Sequence, residues 1–391
     1  MSKINNKIDA IILCGGYGTR IKNFTKNKIP KSLLKIKKRT FLDYLLKKIT
    51  KYPFNKIILI AGYQGKKIYK IYNNKRINLI EIECLVEKKP SGTGGALNFA
   101  KNKIQNDFVL FNGDTFIDFN LGYFLKKKFN KKYIGEMILT SNSSKSLTNN
   151  LLNLRIKKNK VINFSDKTNL INSGIIFFKK KIKKEFKKNV ISFENTILKK
   201  LINKNKIIGK IDSNFFVDIG TDKNFLYAKQ KIPALFNKPA LFLDRDGVIN
   251  KDFGHVHSID KLVYNKKIFS IIKKYQKKKY LTFVVTNQAG IAKGFYPLNS
   301  FFKFQNFIKK DLFKRDIYIN DQEFCPHHPD GVIKKYAIIC KCRKPGDQMI
   351  KNLKKRWDID IKKSLFIGDH KVDELCAKKS KIKFKYFNQK K

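Results

Sequence analysis

The chain has 391 residues, 42% of them apolar and 33 of them phenylalanine, which excludes a disordered chain and suffices for two or three domains with cores of their own. No apolar run reaches the roughly 18–20 residues that span a bilayer, and the first 16 residues lack the long apolar region and cleavage site of a signal peptide. The sequence therefore predicts a cytoplasmic protein with no membrane partner, and a formal charge of +56 whose meaning depends on where the lysines lie.

The lysines are spread along the whole chain in ones, twos and threes. They accompany heavy use of Asn, Ile, Phe and Tyr, the profile of codons rich in A and T. A nucleic-acid binder or nucleic-acid-end phosphatase would need them gathered on one face among aromatics, and the even spread argues against it. A positive field still assists capture of small polyanions.

Taken in order, residues 8–14 (IDAIILC) predict a buried strand running into the turn Gly15-Gly16-Tyr17-Gly18. A helix follows over 40–51, then strands at 56–61, 79–85 and 107–112, the alternation of β-α-β units on a mostly parallel sheet. Residues 151–165 read as a hairpin turning at Lys158-Asn159. A strand, turn and helix end near 230. The prolines of 232–240 mark a linker, which sets domains of 1–231 and 239–391 with 232–238 between them. A strand at 240–244 restarts the pattern, followed by a helix at 265–278, a strand at 281–286, a helix at 299–313 and a strand at 364–368. An irregular loop occupies 323–347.

Chemistry collects at the strand ends. After the first strand, Gly15, Gly16 and Gly18 let backbone N–H groups converge on phosphate oxygens, and Arg20 adds a planar charge. Lys31 lies a dozen residues on, Ser91–Leu97 (SGTGGAL) is a second glycine turn opening a helix, and Asp114 and Asp218 each end a strand. Two such carboxylates can hold one Mg²⁺ against a triphosphate. In the second half Asp244 and Asp246 stand two apart at a strand end, an arrangement suited to a nucleophile and an acid/base around Mg²⁺, with Arg245 between them pointing away. Thr286 and Asn287 end the next strand, Arg343 and Lys344 add cations, and Asp369 ends a later strand with Asp373 one helical turn on.

Six cysteines in this length make no disulfide framework. Cys325, Cys340 and Cys342, with His327 or His328, have the spacing of a closed tetrahedral zinc site that is structural. Arg343 and Lys344 directly follow Cys342, so fixing the metal would fix those cations.

With these residues in view, 1–230 resembles the sugar-phosphate nucleotidyltransferases, in the branch of mannose- and heptose-1-phosphate guanylyltransferases. The resemblance implies that Gly15, Gly16, Gly18, Thr19 and Arg20 hold the triphosphate, that Lys31 contacts nucleotide phosphates (Ser32 replaces the usual proline), and that Asp114 and Asp218 bind Mg²⁺. It places the sugar-phosphate lysine at Lys167, where two of three motif residues differ, and sugar contacts at Asn172, Gly174 and Glu194.

Residues 239–380 resemble the haloacid-dehalogenase superfamily, and within it the heptose 1,7-bisphosphate phosphatases, through DRDGVIN, GHVHSID, TNQAGIAKG, CPHHP, CKCRKP and GDHKVD. That likeness implies Asp244 as nucleophile and Asp246 as general acid/base, Thr286, Asn287 and Lys344 on the phosphate, and Arg343 on substrate. It also implies Mg²⁺ at Asp244, Asp246 and Asp369, and zinc at Cys325, His327, Cys340 and Cys342. A histidinol-phosphate phosphatase branch shares much of this pattern.

The expected fold class is α/β with two doubly wound domains, a Rossmann-like mixed sheet first and a haloacid-dehalogenase-like Rossmannoid with a zinc loop second. The expected partners are a heptose bisphosphate, a sugar 1-phosphate and an NTP, or a mannose-type sugar phosphate with the same two chemistries. GTP is the expected nucleotide because of Glu87, five residues before Gly92, where related uridylyltransferases place a glutamine. An ionised glutamate only accepts, and guanine offers two adjacent donors, N1–H and the 2-amino group. The alternative is a solvated Glu87 beside Lys88 and Lys89.

Overall fold

Strand β1 (Ile8–Leu13) is apolar almost throughout and buried, as a strand covered on both sheet faces must be. The structure, a computed structural model, describes residues 7–141, 154–163 and 170–387, and Lys167 lies outside them. The chain divides into two compact units, Met1–Ile49 with Phe54–Lys231 and Thr50–Pro53 with Ile232–Lys391.

In the first unit the further strands are β2 (Ile57–Ala61), β3 (Ile80–Val86), β4 (Asp107–Asn112), β5 (Thr115–Ile117), β6 (Gly135–Ser141), β7 (Leu154–Lys157), β8 (Lys160–Asn163), β9 (Leu170–Phe178), β10 (Ile207–Ile211) and β11 (Phe216–Asp218). The main sheet runs β7-β8-β10-β6-β9-β4-β1-β2-β3, with the two-residue strand Arg76–Ile77 outside β3. β1 is parallel to both β2 and β4, while β9 runs antiparallel between β4 and β6, so the sheet is mixed. The hairpin of β7 and β8 turns at Lys158 and Asn159, both at positive φ. Because β2 and β4 leave β1 on opposite sides, the loops after β1 and β4 face each other across the place where the strand order reverses. That is the usual crevice for ligands in such sheets.

In the second unit the strands are β12 (Ala240–Leu243), β13 (Leu281–Asn287), β14 (Asp321–Cys325), β15 (Leu365–Gly368) and β16 (Lys383–Tyr386). All are parallel, in the order β14-β13-β12-β15-β16. The helices around them bury one face each. Ile268 and Ile272 do so one turn apart in α1 (Lys266–Lys277), and Phe301, Phe304, Ile308 and Leu312 do so in α2 (Leu298–Lys314). All but Phe301 pack on Leu241, Leu243, Val284 and Ile367 of the sheet, and Phe301 packs with Ile291, Tyr296 and Phe324. The strand order again reverses at β12, so the ends of β12, β13 and β15 open into one crevice.

Two sequence expectations change. Ile232–Phe236, read as linker, are the last turns of a helix, Asp222–Phe236, that runs through Pro233. The loop from 323 begins instead inside edge strand β14, whose polar Gln322 and Glu323 gave no apolar run to recognise. Among the described residues no helix is long and apolar enough to cross a membrane.

Candidate active sites

In the first unit the loop after β1 closes over Lys31. Gly18 takes φ +70°, and a Cβ there would lie 2.8 Å from Lys31 Cγ, so this close approach requires glycine. The Lys31 ammonium is ion-paired with Asp114, just past the end of β4. β11 pairs with β5 so that Asp218 stands opposite Thr115, and Ile219 N–H donates to the Asp114 carbonyl at 2.9 Å. Asp114, Asp218 and Lys31 thereby come together. Arg20 joins them: a Cβ at Gly220 would be 3.4 Å from its Nη2, and the Gly220 N–H donates to Asp218 Oδ1 at 2.6 Å.

The charges report the crowding. Burial pushes the Asp218 carboxyl up to about 6 and the charge of Asp114 adds to this, against Lys31, the Gly220 N–H and Arg20. Asp114 in turn raises Lys31. Two carboxylates at adjoining strand ends, one of them destabilised by burial and by the other, form an all-oxygen donor set that fits a divalent cation.

A cavity of about 300 Å³ adjoins this group, lined among others by Gly15, Gly16, Lys31, Glu87, Gly92 and Thr93. Thr19 is exposed and is not among the residues that line it. Glu87 is only 8% exposed, which removes the solvated alternative. Its Oε1 accepts from both the N–H (3.3 Å) and the hydroxyl of Ser91. Its Oε2 faces the backbones of Gly62 and Gly15, where added methyl groups would come within 2.9 and 3.5 Å. Receipt of two donors side by side would need both oxygens. Only Oε2 has no such commitment to Ser91. Gly92 takes φ +76° against the carbonyl of Ile191.

Glu194 accepts from the Thr93 hydroxyl at 2.6 Å, which ties it to the cavity wall. Asn172 is buried at a β-bulge, its Oδ1 accepting from Gly174 N–H at 2.9 Å. Gly174, at φ +78°, has no room for a Cβ between Thr115 and Asn112, which sets this segment beside the Asp114 loop.

In the second unit Asp244 follows β12 and is buried. Its Oδ1 accepts from Arg245 N–H at 2.7 Å and its Oδ2 lies 2.8 Å from Lys344 Nζ. The same ammonium is 2.5 Å from Asp373 Oδ1. Burial raises the Asp244 carboxyl, with Lys344 opposing and Asp373 adding. Burial alone would lower Lys344, but Asp244 and Asp373 more than offset it and the ammonium is held. Carboxylate oxygens of Asp244, Asp369 and Asp373 lie within 4.8 Å of one another. Asp369 Oδ1 is buried without a hydrogen-bond partner, and burial raises its carboxyl. An orphaned oxygen among three carboxylates fits a divalent cation. Gly247, at φ +81°, presses on this group: a Cβ there would be 1.8 Å from Asp369 Oδ2.

The Asp246 carboxylate does not join that cluster, contrary to the expected Mg²⁺ set. Arg245 does not point away either. Its fully buried guanidinium turns back onto Asp246, with Nη2 at 2.9 and 2.7 Å from the two oxygens and Nε at 3.0 Å. Asn250 and Gln288 donate to Asp246 as well, each at 2.9 Å. Asp246 still lines, with Asp244, Thr286, His255, Arg343 and Lys344, a cavity of about 330 Å³. Asn287 also departs from expectation: both ends of its amide are used on the backbone of Lys344. The alternation of strand residues could not show any of these pairings, which depend on how the turns fold.

Cys325 ends β14, and Cys340 and Cys342 return to it. The Sγ atoms lie 3.2–3.5 Å apart, and His327 Nδ1 is 3.2 Å from Cys342 Sγ and 3.7 Å from Cys325 Sγ. Zn–S bonds of about 2.3 Å place tetrahedral thiolates roughly 3.8 Å apart, so this donor set fits zinc after a small outward relaxation. The cluster reaches the cavity: Arg343 N–H donates to Cys340 Sγ at 3.4 Å and Arg343 Nη1 to the His327 carbonyl at 3.4 Å.

A family model described as nucleotidyl transferase matches residues 9–234. The D-glycero-alpha-D-manno-heptose-1,7-bisphosphate 7-phosphatase of Photorhabdus laumondii is 39% identical over 132 residues, 34% of this chain and 72% of that protein. The chain belongs to the nucleotidyl transferase family and, through its second unit, to that of the heptose-bisphosphate phosphatases. The D-glycero-beta-D-manno-heptose-1,7-bisphosphate 7-phosphatase of Rhodopseudomonas palustris is 36% identical over 145 residues, 37% of this chain and 81% of that protein. Among solved structures, HddC from Yersinia pseudotuberculosis complexed with GMP-PN shares 25% identity over 57% of this chain and 99% of that chain, with a TM-score of 0.48. The protein is thus a nucleotidyltransferase joined to a phosphatase, with each crevice at the strand-order reversal of its own sheet.

Proposed function

We propose that the chain performs two consecutive cytoplasmic steps of nucleotide-heptose formation. The second unit removes the 7-phosphate of a D-glycero-D-manno-heptose 1,7-bisphosphate. The first unit then transfers GMP from GTP to the sugar 1-phosphate and releases pyrophosphate. One observation carries this reading: the product class of the phosphatase relatives, a sugar 1-phosphate, is the acceptor class that a nucleotidyl transferase needs, and both units share one chain.

At the phosphatase site Asp244 attacks phosphorus with one carboxylate oxygen as the bond to the C7 oxygen breaks, and Asp246 gives that oxygen its proton. Water then attacks the aspartyl-phosphate, Asp246 takes a proton from it, and inorganic phosphate leaves. Lys344 and the Thr286 hydroxyl hold phosphoryl oxygens, Arg343 meets the rest of the substrate, and Asn287 keeps Lys344 in place. Asp244 and Asp369 would hold Mg²⁺, which supplies neutralisation of the phosphoryl charge. Cys325, His327, Cys340 and Cys342 would hold a structural Zn²⁺.

At the transferase site a sugar 1-phosphate oxygen attacks the α-phosphorus in line, and the bond to the β-phosphate oxygen breaks. No protein nucleophile is needed. The backbone of Gly15, Gly16 and Gly18 with Thr19, Arg20 and Lys31 holds the triphosphate, and Asn172, Gly174, Glu194 and Lys167 hold the sugar phosphate. Asp114 and Asp218 would hold Mg²⁺, which supplies charge neutralisation there. Glu87 reads the base through Oε2, where a guanine N–H is received and a uracil carbonyl repelled.

The test is to incubate the full chain with each anomer of heptose 1,7-bisphosphate and each NTP, following phosphate and pyrophosphate separately. Phosphate first, and pyrophosphate only after it and best with GTP, is the expected pattern. Pyrophosphate without prior phosphate release, or no phosphate from either anomer, overturns the reading.

A further inference from the structure

The carboxylate of Asp246 is braced by a hydrogen-bonded chain that runs from Gln288, within TNQAGIAKG, to Tyr296. Gln288 is 2% exposed, and its Nε2 lies 2.9 Å from Asp246 Oδ2 and 2.9 Å from Thr286 Oγ1. Its Oε1 accepts from the hydroxyl of Tyr296 at 2.8 Å. Tyr296 is itself buried. His257 stacks on its ring with centroids 4.4 Å apart and planes 16° apart, and its Cε1 lies so near Gly290 that a Cβ there would be 2.4 Å away.

An amide has two ends, and the partners here decide which way it faces. Arg245 and Asn250 already donate to both oxygens of Asp246, which act here as acceptors, so the end toward Asp246 is the nitrogen. A phenol is protonated near neutral pH and donates, so the end toward Tyr296 must be the oxygen. Turned over, Gln288 would set its carbonyl against Asp246 and its NH₂ against the Tyr296 O–H. The same nitrogen occupies an acceptor position of the Thr286 hydroxyl and leaves that O–H to donate into the cavity.

We propose that Tyr296 is a positioning residue of the phosphatase: its hydroxyl fixes the Gln288 amide, which in turn fixes Asp246 as proton carrier and Thr286 as phosphate donor. This rests on Asp246 exchanging the proton with the C7 oxygen. Without the Tyr296 hydroxyl the amide oxygen loses its donor, and the amide is held from its nitrogen side alone, by Asp246, Thr286 and the Asn287 carbonyl. Asp246 would then keep its Arg245 pairing, while the amide that donates to its Oδ2 is less firmly placed.

The experiment uses the full chain with heptose 1,7-bisphosphate and reads kcat, KM and the first-turnover release of heptose 1-phosphate. Y296F removes one oxygen from a buried ring and is expected to lower kcat about tenfold with KM within about twofold, the scale of one misplaced proton-transfer partner. Q288L is expected to be at least as slow. The double variant Y296F/Q288L should equal Q288L alone, because the tyrosine acts only through the amide. Nucleotidyl transfer and zinc content, measured on the same preparations, should stay at wild-type level and report folding. A Y296F kcat within twofold of wild type overturns the inference, as does a double variant slowed by the product of the two single effects. D246N with wild-type kcat would instead overturn the role of Asp246, which separates the two failures.

Discussion

The side-chain amide of Asn287 grips the backbone of Lys344 at both ends: Lys344 N–H donates to Oδ1 at 2.9 Å, and Nδ2 donates to the Lys344 carbonyl at 3.1 Å. A residue at the end of β13 therefore fixes the ammonium shared by Asp244 and Asp373. N287L should lower phosphatase kcat/KM about 10- to 100-fold, since two partly buried hydrogen bonds of about 1 kcal/mol each are lost and Lys344 is freed. N287D, which keeps the acceptor, should fall between. Phosphate release by the three proteins decides it, and equal rates would put Lys344 under other control.

The two chemistries should separate by mutation. D244N should abolish phosphate release and leave pyrophosphate release from heptose 1-phosphate intact, because the nucleophile belongs to one unit. D114A should do the reverse, and transfer at normal rates by D114A would mean that its metal lies elsewhere.

Zinc should be present near one equivalent per chain and depend on the four clustered ligands. C340S should lose it and lose phosphatase activity, since Cys340 receives the Arg343 N–H and the same loop carries Lys344. Transfer should persist. Full phosphatase activity, with Mg²⁺ supplied, in protein shown by elemental analysis to be free of zinc would contradict this.

The base should follow Glu87. E87Q should narrow the preference for GTP over UTP by about tenfold, the scale of one charged hydrogen bond of ~1.5–3 kcal/mol. Parallel rates with the two nucleotides measure it, and an unchanged ratio would show that the base is read elsewhere.

Lys309 offers a pH test of stability. It is 3% exposed, its Nζ donates to the Thr50 carbonyl at 2.8 Å, and burial lowers it to about 7. Its unfolded value is about 10.4. The unfolded chain therefore binds more protons between these values. The penalty is complete below pH 7 and fades as pH rises toward 10, so stability should climb across that window by a few kcal/mol at most, at ~1.4 kcal/mol per unit. K309M should flatten the climb. Calorimetric Tm values of both proteins at pH 7 and 9 suffice, and parallel slopes would refute it.

Much of the layout was readable from the residues. Ile8–Leu13 is apolar enough to need cover on both faces, and Lys158-Asn159 between alternating segments marks a hairpin turn. Strand-end aspartates also point to the crevices, because a carboxylate following an apolar strand has no packing reason to be there. Pro233 misled because a proline suggests a break, yet the helix carries it and closes with Asn237 N–H on the Pro233 carbonyl. Edge strand β14 was hidden by its polar residues. The contacts of Lys344 with Asp373, Gln288 with Asp246 and Ser91 with Glu87 join residues whose side chains meet only after turns fold. Periodicity carries no information on such meetings.

Gly247 gives the second crevice an unusual kind of constraint. The Asp369 carboxylate sits where a Cβ would be, its oxygen 1.8 Å from that point, and Gly247 holds φ at +81°. A side chain there would both strain the backbone and push that carboxylate from its place. A charge swapped at one position can be answered by a charge swapped at another, but no second-site change shrinks a methyl group. Residues at the rim of the cavity, such as His255 and Arg343, can thus vary more freely than the glycine beneath Asp244 and Asp369.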